Sequence, residues 1–230
     1  MIEPLVSVLM SVYNSENTLK KSLESILNQT YENIELLLVD DCSSDKSLNI
    51  LYEYAERDKR IKLLVNENNI GLTKSLNKLL LHAEGQYIAR QDADDVSYKN
   101  RIEFQQNYIV KSKNKILTSR ALVMHSNRVV PKYSFYLPNS YVINYKNPFI
   151  HGTLFMKKSI MDEIGGYDEN FYFSQDYKFF SDCYKAGYKV SIINKKLYLL
   201  NMENNLSNKF QQEQKYYADC VRKNITPEKM

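Results

Sequence analysis

The chain has 230 residues and a formal net charge of +4, with 43% hydrophobic and 25% charged residues. This composition is that of a globular protein with one large domain, and the small charge without a dense basic cluster argues against nucleic acid as a partner. The six glycines form neither a GxGxxG nor a Walker A loop, which excludes a glycine-rich phosphate-binding loop.

The first half of the chain alternates between strand and helix patterns. Apolar runs predict strands at residues 5–12, 34–39, 61–65 and 87–89. Apolar residues at helical spacing between them predict three helices, and polar residues ahead of the first two are candidate caps: Asn14, Ser15, Ser43 and Ser44. The alternation predicts an α/β fold, with a Rossmann-like, mostly parallel central sheet flanked by helices.

Polar residues follow the carboxyl ends of three of these strands. Tyr13 and Asn14 follow the first strand, Asp40 and Asp41 follow the second, and residues 92–95 follow the fourth. In sheets of this kind, ligands bind beyond the carboxyl ends of the strands. We therefore expect these residues to meet at one rim of the sheet.

Residues 92–95 read Asp-Ala-Asp-Asp. Carboxylates this close repel one another unless solvent, a cation or a metal screens them. Asp92 and Asp94 are two residues apart, so in an extended segment their side chains leave the same face. Two such oxygen donors suit Mg²⁺ or Mn²⁺ carrying a phosphate. A solvated acidic loop is the other interpretation of this segment taken alone.

The second half of the chain is less regular. The patterns predict strands at 116–124, 154–156 and 190–193, and helices around 102–109, 159–164 and 175–186. Three prolines among polar and tyrosine residues predict loops or edge strands over 126–150. Residues 203–230 form a polar tail, expected to be helical or partly ordered, whose packing residues are Tyr216, Tyr217 and Val221.

Cysteine usage and hydropathy indicate the compartment. Three cysteines at unrelated spacings, without a CxxC pair, favour neither a disulfide framework nor a zinc site. A reducing compartment fits this pattern. No signal-peptide pattern is visible, and no window reaches the roughly 18 apolar residues that a membrane helix needs. We expect a cytoplasmic protein with at most peripheral contact to the inner face of the membrane.

Seven short motifs occur in an order that resembles the inverting glycosyltransferases of family two, which have the GT-A fold. They are Val6–Asn14, Leu38–Asp45, Asn69–Gly71, Ala89–Asp95, His151–Thr153, Gly165–Asp168 and Gln175–Tyr177. The resemblance implies a GT-A domain over residues 1–202. Within it, residues 1–98 would bind the nucleotide-sugar and residues 99–202 the acceptor, and the tail over 203–230 would follow.

The resemblance also implies roles for individual residues. The donor would be a UDP-sugar, with Tyr13 stacking on the base and Asp41 accepting the uracil N3–H. Asp176 would be the general base that takes the proton of the acceptor hydroxyl, and the acceptor would be a saccharide, lipid-linked on family grounds. The resemblance implies that the nucleotide-sugar contacts Ser11, Tyr13, Asp41, Arg90, Asp92 and Ala93. Asp94 and Asp92 would bind Mn²⁺ or Mg²⁺. His151 and Gln175 would lie near the transferred sugar or the acceptor.

Each of these residues also has a structural alternative. Tyr13 could be a packing tyrosine, Asp41 and Asp176 helix caps, and His151 a hydrogen-bonded structural residue. Arg90 could reach the donor diphosphate or pair with one of the neighbouring acids. The tyrosine-rich segment 133–145 could offer sugar-stacking surfaces or simply pack as a loop.

Three positions depart from the family pattern. Met202 occupies a place where many relatives carry a histidine that completes the metal coordination, and methionine is a poor ligand for such cations. Residues 75–77 lack the arginine that contacts the nucleotide, for which Lys74 is a candidate replacement. Gln175 replaces an acid beside Asp176, which should lower the pKa of Asp176, and the helix start should favour its ionised form.

Other classes of protein remain open. Residues 92–96 satisfy the DxDx[TV] pattern of haloacid-dehalogenase-like phosphatases, in which Asp92 would be the nucleophile. That motif normally lies on the first strand of its domain, whereas three predicted strands precede it here. A nucleotidyltransferase would need a glycine-rich, basic N-terminal loop, which this chain lacks. A non-catalytic nucleotide-sugar-binding relative is the remaining alternative.

Overall fold

The computed structural model describes residues 3–203 and 210–228 of the chain. The strands are β1 (Val6–Val12), β2 (Ile34–Asp40), β3 (Ile61–Val65), β4 (Tyr87–Arg90), β5 (Val96–Ser97), β6 (Ile116–Val123), β7 (Val129–Val130), β8 (Phe155–Lys157) and β9 (Val190–Leu200). The helices are α1 (Leu19–Leu27), α2 (Ser47–Arg57), α3 (Leu72–Leu81), α4 (Arg101–Lys111), α5 (Asn139–Val142), α6 (Lys158–Ile164), α7 (Gln175–Lys185) and α8 (Gln211–Lys223). Two 3₁₀ turns span Ser134–Tyr136 and His151–Thr153.

In the described residues the strands form one nine-stranded sheet in the order β3-β2-β1-β4-β8-β6-β9-β5, and β7 pairs with β6. The first four strands of this order are parallel, with Val6 of β1 aligned to Ile34 of β2 and to Tyr87 of β4. The pairs β4–β8, β8–β6 and β9–β5 are antiparallel, whereas β6 and β9 are parallel. The predicted α/β fold with a mostly parallel first half is confirmed.

Helices cover both faces of the sheet. Every residue of β2 is buried, which explains its nearly continuous apolar run. Leu36 and Leu38 of this strand face a core formed with α1, α2 and α4. Leu37 and Val39 face the opposite core, formed with α3, α6, α7 and α8. Successive residues of a strand point to opposite faces, so β2 supplies both cores.

The predicted caps of α1 and α2 are wrong. Asn14 lies before the helix with a positive φ of 47°, and its Oδ1 accepts the Ser44 N–H at 2.8 Å. Ser43 Oγ in turn accepts the Asn14 N–H at 3.0 Å. At α2, Asp45 Oδ1 accepts the Ser47 N–H at 2.8 Å. These polar side chains join the β1–α1 loop to the β2–α2 loop, so both loops are fixed at the same rim.

The second half departs from the prediction at two strands. β9 continues to Leu200 instead of ending at residue 193, because its pairing with β6 extends past a polar stretch through a register shift. β5 was not predicted. In the tail, which was expected to be helical or partly ordered, α8 forms a regular helix. Tyr217, Cys220 and Val221 pack α8 into the core. Among residues 3–203 and 210–228 there is no helix of the length and apolarity that crossing a membrane requires.

Candidate functional site

Asp41 follows β2 at the rim and organises the loop beyond β3. Its Oδ1 accepts hydrogen bonds from Asn66 Nδ2 and from the Ile70 N–H, and its Oδ2 accepts one from the Gly71 N–H, each at 2.9 Å. A carboxylate has about four lone-pair sites, so roughly one remains for a donor on a ligand. Tyr13 follows β1 at the same rim and is 50% exposed. The predicted convergence of these loops is confirmed.

Gly71 brings a second aromatic ring to this part of the rim. It has a φ of +85°, and a Cβ built there would lie 2.4 Å from Cε2 of Tyr172. The ring of Tyr172 therefore rests on the glycine backbone while remaining 52% exposed. Sequence reasoning missed Tyr172, because its neighbour lies about a hundred residues earlier in the chain.

Other residues of this rim are placed as follows. Asp40 Oδ2 accepts the Ser43 N–H at 2.9 Å, as expected for a residue that holds the loop, while its buried Oδ1 lacks a partner among the described residues. Ser11 lies on β1 opposite Val39 and is partly buried. Lys74 is exposed. A lysine that the sequence did not single out, Lys78, donates to Asn66 Oδ1 at 2.7 Å and so contacts the Asp41 network.

Gln91 holds the acidic loop, which we define as residues 92–95. Its side chain is fully buried. Nε2 donates to Ser22 Oγ at 3.0 Å and to the Asp95 carbonyl at 2.9 Å. Oε1 accepts from Ser97 Oγ at 2.7 Å and from Arg101 Nη1 at 3.2 Å. One amide thus ties α1, the acidic loop, β5 and α4 together.

Two buried arginines lie beneath the acidic loop. Arg90 is fully buried, and its Nη2 pairs with Asp92 Oδ1 at 2.5 Å, so the ion-pair alternative is the one that the structure shows. Arg101 is also fully buried and donates to the carbonyls of Gly152 at 2.9 Å and Arg90 at 2.6 Å. Burial lowers the pKa of Arg101 to about 10, so it stays charged at neutral pH. The positive charges of Arg90 and Arg101 partly neutralise the negative charges of the aspartates in the acidic loop.

The three acids of the loop differ in their surroundings. Asp95 is buried and its Oδ1 accepts the Asn201 N–H at 2.6 Å. Burial raises the pKa of Asp95 well above its ordinary value. Burial, followed by the charge of Asp92, raises the pKa of Asp94 to about 6. Oδ1 of Asp92 forms the ion pair with Arg90. Its other oxygen, Oδ2, approaches Gly152 so closely that a Cβ built there would lie 2.5 Å from it.

Asp92 and Asp94 are the candidate metal ligands. No group of three or more His, Cys, Asp or Glu side chains in residues 3–203 and 210–228 is arranged to hold a metal by itself. Mg²⁺ and related ions are commonly held by one or two carboxylates together with substrate phosphates, so two carboxylates that repel each other fit such a shared ion. Met202, the predicted departure, lies with its Sδ 2.9 Å from Arg128 Nη2. Most of the segment after it lies outside the described residues.

Asp176 is the second residue of α7 and is partly buried. Its Oδ1 accepts the Tyr177 N–H at 2.8 Å, and its Oδ2 accepts Asn147 Nδ2 at 2.7 Å. Burial is the largest effect on the pKa of Asp176 and raises it; the two hydrogen bonds oppose this, and the charge of Asp92 adds to it. The Tyr177 N–H at the helix start favours the ionised form of Asp176, and burial outweighs this contribution in the net pKa.

His151 contacts the ring and the hydroxyl of Tyr167. Its Nε2 is 2.7 Å from Tyr167 Oη. Burial, and then the charge of Arg90, lower the pKa of His151 well below its ordinary value. The ring is therefore neutral at physiological pH and shares a hydrogen bond with a buried phenol, which is the structural alternative raised by the sequence.

The remaining predicted residues lie around these groups. Ala93 is buried and its carbonyl accepts Thr18 Oγ1 at 3.1 Å. Gln175 is partly exposed beside Asp176. The tyrosine-rich segment carries four exposed rings: Tyr133, Tyr136, Tyr141 and Tyr145. It continues into Asn147, whose Nδ2 donates to Asp176 Oδ2.

Comparison with known sequences identifies relatives. The family model "Glycosyl transferase family 2" matches residues 7–168. A putative glycosyltransferase of Bacillus subtilis, EpsE, is 40% identical over 171 residues, which cover 71% of this chain and 60% of EpsE. The uncharacterized glycosyltransferase MJ1057 of Methanocaldococcus jannaschii is 35% identical over 95% of this chain and 79% of its own length. The Escherichia coli UDP-Glc:alpha-D-GlcNAc-diphosphoundecaprenol beta-1,3-glucosyltransferase WfgD is 38% identical over 56% of this chain and 50% of its own.

Solved structures show the same architecture. Residues 1–349 of Staphylococcus aureus TarS in complex with UDP-GlcNAc match with a TM-score of 0.74 and 25% identity, over 87% of this chain and 59% of that one. The mannosyltransferase PcManGT of Pyrobaculum calidifontis, in complex with GDP-Man and Mn²⁺, matches with a TM-score of 0.76 and 17% identity, over 98% and 66%. These likenesses confirm the predicted GT-A fold. The chain spans only about three-fifths of EpsE and half of WfgD.

Proposed function

Because the chain belongs to glycosyltransferase family 2, we propose that it transfers a hexose or N-acetylhexosamine from a UDP-sugar to a hydroxyl of a saccharide, with inversion at the anomeric carbon. The observation that carries the proposal is that the loops with Tyr13, Asp41 and the acidic loop follow three parallel neighbouring strands at one rim of the sheet, and that the charge of Asp92 acts on Asp176. A nucleotide, a diphosphate and a reacting sugar need such adjacent surfaces.

The donor's base is expected at Tyr13 and Asp41. Stacking of a base on an exposed aromatic ring contributes about 1–3 kcal/mol, and the remaining lone pair of Asp41 suits a single N–H donor such as that of uracil. Tyr172 offers a second aromatic surface beside the same carboxylate. The choice of UDP is supported by TarS, which was solved in complex with UDP-GlcNAc, and by WfgD, whose name begins with UDP-Glc. Ser11 and Ala93 complete the proposed donor contacts, with Arg90 acting through Asp92.

Asp94 and Asp92 would hold a divalent metal, Mn²⁺ or Mg²⁺, together with the donor diphosphate. Such an ion supplies positive charge where the leaving nucleotide gains negative charge. The protein's own part is to hold the carboxylates in place, since Arg90 and Gln91 fix the loop from below.

Asp176 would accept the proton of the attacking hydroxyl. Burial raises its pKa, and a general base with a pKa closer to the working pH transfers protons more effectively. The exposed tyrosines of segment 133–145 and the side chains of His151 and Gln175 would contact the acceptor. The name of WfgD includes a diphosphoundecaprenol acceptor, which supports a lipid-linked saccharide here and, with it, a cytoplasmic protein in peripheral contact with the membrane.

The test is a donor screen. Purified protein with Mn²⁺ is incubated with UDP-glucose, UDP-galactose, UDP-GlcNAc, UDP-GalNAc and GDP-mannose, and nucleoside diphosphate release is measured. We expect release from a UDP-sugar, lost in Asp176→Asn with donor binding by calorimetry retained. Asp182→Asn is the matched control, since Asp182 lies on the same helix and pairs with Lys178.

Other outcomes distinguish the alternatives. Donor binding without hydrolysis or transfer in any condition would show a non-catalytic nucleotide-sugar-binding protein. Phosphate release from simple monoesters, with trapping of fluoroberyllate on Asp92, would show a phosphatase. Full activity of Asp176→Asn would refute the assignment of the base.

A further inference from the structure

Asn147 is held so that only its amide N–H can face Asp176. Its Oδ1 accepts the Phe149 N–H at 3.0 Å, and its Nδ2 donates to Asp176 Oδ2 at 2.7 Å. The two ends of an amide are not interchangeable, because oxygen accepts and nitrogen donates. The Phe149 N–H therefore fixes the orientation of the amide independently of Asp176.

The segment that carries Asn147 is itself attached to α7. Phe149 is buried and its ring packs against Phe180 with centroids 4.6 Å apart. Tyr177, the residue after Asp176, donates from its Oη to the Ile143 carbonyl at 2.7 Å. The segment with Asn147 and the helix with Asp176 are therefore attached to each other on both sides of the hydrogen bond that joins the amide to the carboxylate.

Asp176 relies on neutral donors. Among the described residues, no Lys, Arg or His forms an ion pair with it. The charge of Asp92 in the acidic loop acts on Asp176, and the charge of Asp176 raises the pKa of Tyr167 in the turn after α6. Tyr167 is bound to the neutral His151, with Arg90 behind them. Burial and Asp92 favour the protonated acid, whereas the amide of Asn147 and the Tyr177 N–H favour the carboxylate.

We propose that Asn147 is a positioning residue for Asp176, whose amide holds Oδ2 and leaves the remaining lone pairs of the carboxylate to the acceptor hydroxyl. This inference rests on the proposed function, in which Asp176 is the base. Asn147 does not touch the reacting atoms; it keeps the carboxylate oriented and ionised in a partly buried site.

The first test is the pH profile of Asn147→Asp, assayed with the UDP-sugar that gives the highest turnover. Two carboxyl groups at hydrogen-bond distance share one proton, so the acid limb of kcat/KM should move up by about one pH unit or more. Asn144→Asp is the matched control: Asn144 is exposed, three residues earlier, and its Nδ2 bonds the Ser140 carbonyl. An unshifted acid limb in Asn147→Asp would overturn the inference.

Asn147→Leu removes the donor at similar volume. We expect kcat to fall roughly 10- to 100-fold with little change in donor affinity, the size associated with a hydrogen bond to a charged group. Wild-type kcat in a folded Asn147→Leu variant, judged by its near-ultraviolet circular dichroism, would overturn the positioning role. This variant also serves if Asn147→Asp does not fold.

A titration that needs no activity separates this inference from the proposed function. Protein labelled with ¹³C at aspartate carboxyl carbons is titrated by NMR, and the Asp176 signal is assigned by its absence in Asp176→Asn. We expect its midpoint to rise by about one unit in Asn147→Asp and to stay unchanged in Asn144→Asp. Equal midpoints overturn the inference. An active Asp176→Asn enzyme refutes the base assignment alone, whatever the titration shows.

Discussion

Replacing Asp94 by asparagine should stabilise the metal-free protein at high pH. Burial and the charge of Asp92 raise the pKa of Asp94 from 3.8 to about 6 in the folded protein. A carboxyl group whose pKa is raised by folding contributes full stability below its unfolded pKa, and this contribution is lost as the pH rises through the folded pKa. At pH 8 the ionised group therefore lowers the free energy of unfolding by about 3 kcal/mol, at 1.36 kcal/mol per pKa unit.

Asparagine has nearly the shape of the protonated acid and carries no charge. For a chain of this size, 1 kcal/mol corresponds to a Tm change of about 2–4 °C, so Asp94→Asn should raise the Tm by roughly 6–12 °C at pH 8. At pH 5 the wild-type group is mostly protonated in the folded state, and linkage predicts roughly half of this gain. The measurement is thermal unfolding of EDTA-treated protein followed by circular dichroism at both pH values.

Asp162→Asn is the control, because the Asp162 side chain is 55% exposed and pairs only with Lys158 among the described residues. Its free energy of unfolding should change by no more than about 0.5 kcal/mol at either pH. A variant Asp94→Asn that is no more stable than the wild type at pH 8 would contradict the electrostatic reasoning. So would an equal gain at pH 5 and pH 8. Added Mn²⁺ should stabilise the wild type and not the variant, since a ligand stabilises only the state that binds it.

Two further predictions concern the rim. A Cβ at position 152 would lie 2.4 Å from Tyr198 Oη, so Gly152→Ala should lower stability by about 1–3 kcal/mol and reduce donor turnover, because it displaces the acidic loop. Gly187→Ala meets no atom within 4 Å, and calorimetry and turnover should show a modest stability loss from its φ of +84° with unchanged activity. Tyr13→Ala should weaken UDP binding by about 1–3 kcal/mol in isothermal titration. Tyr52→Ala, at the same 50% exposure, should leave it unchanged, and equal effects of the two variants would refute the stacking role.

Local patterns predicted most of the fold. β2 was recognised because a strand buried on both faces must be apolar throughout, and that requirement is visible in a few consecutive residues. The caps were wrong because Asn14 and Ser43 bond each other's loops instead of their own helices. β5 was missed because a strand of two residues has no pattern of its own and exists only through its pairing with β9.

The sequence was sufficient to predict which loops form the candidate site. It was not sufficient to predict the contacts that each side chain makes there. The positions of Asp41 and the acidic loop follow from the rule that parallel strands present their carboxyl ends at one edge. The ion pair of Arg90 was one of two alternatives that the sequence left equal, and the structure shows the buried guanidinium paired with Asp92. The roles of Gln91 and Asn147 depend on partners far along the chain, which no short motif records.

The sequence by itself determined the alternation of strands and helices, the rim at which polar loops gather, and the order of motifs that indicates the family. These properties depend on periodicity and spacing, which are local. Only the tertiary structure decided the states of the acids: Asp95 serves the scaffold, Asp94 has a raised pKa, and Asp176 is held by an amide and a backbone N–H without an ion pair in the described residues. Burial and charge are sums over neighbours from the whole fold, so a carboxylate's chemistry becomes readable only once those neighbours are in place.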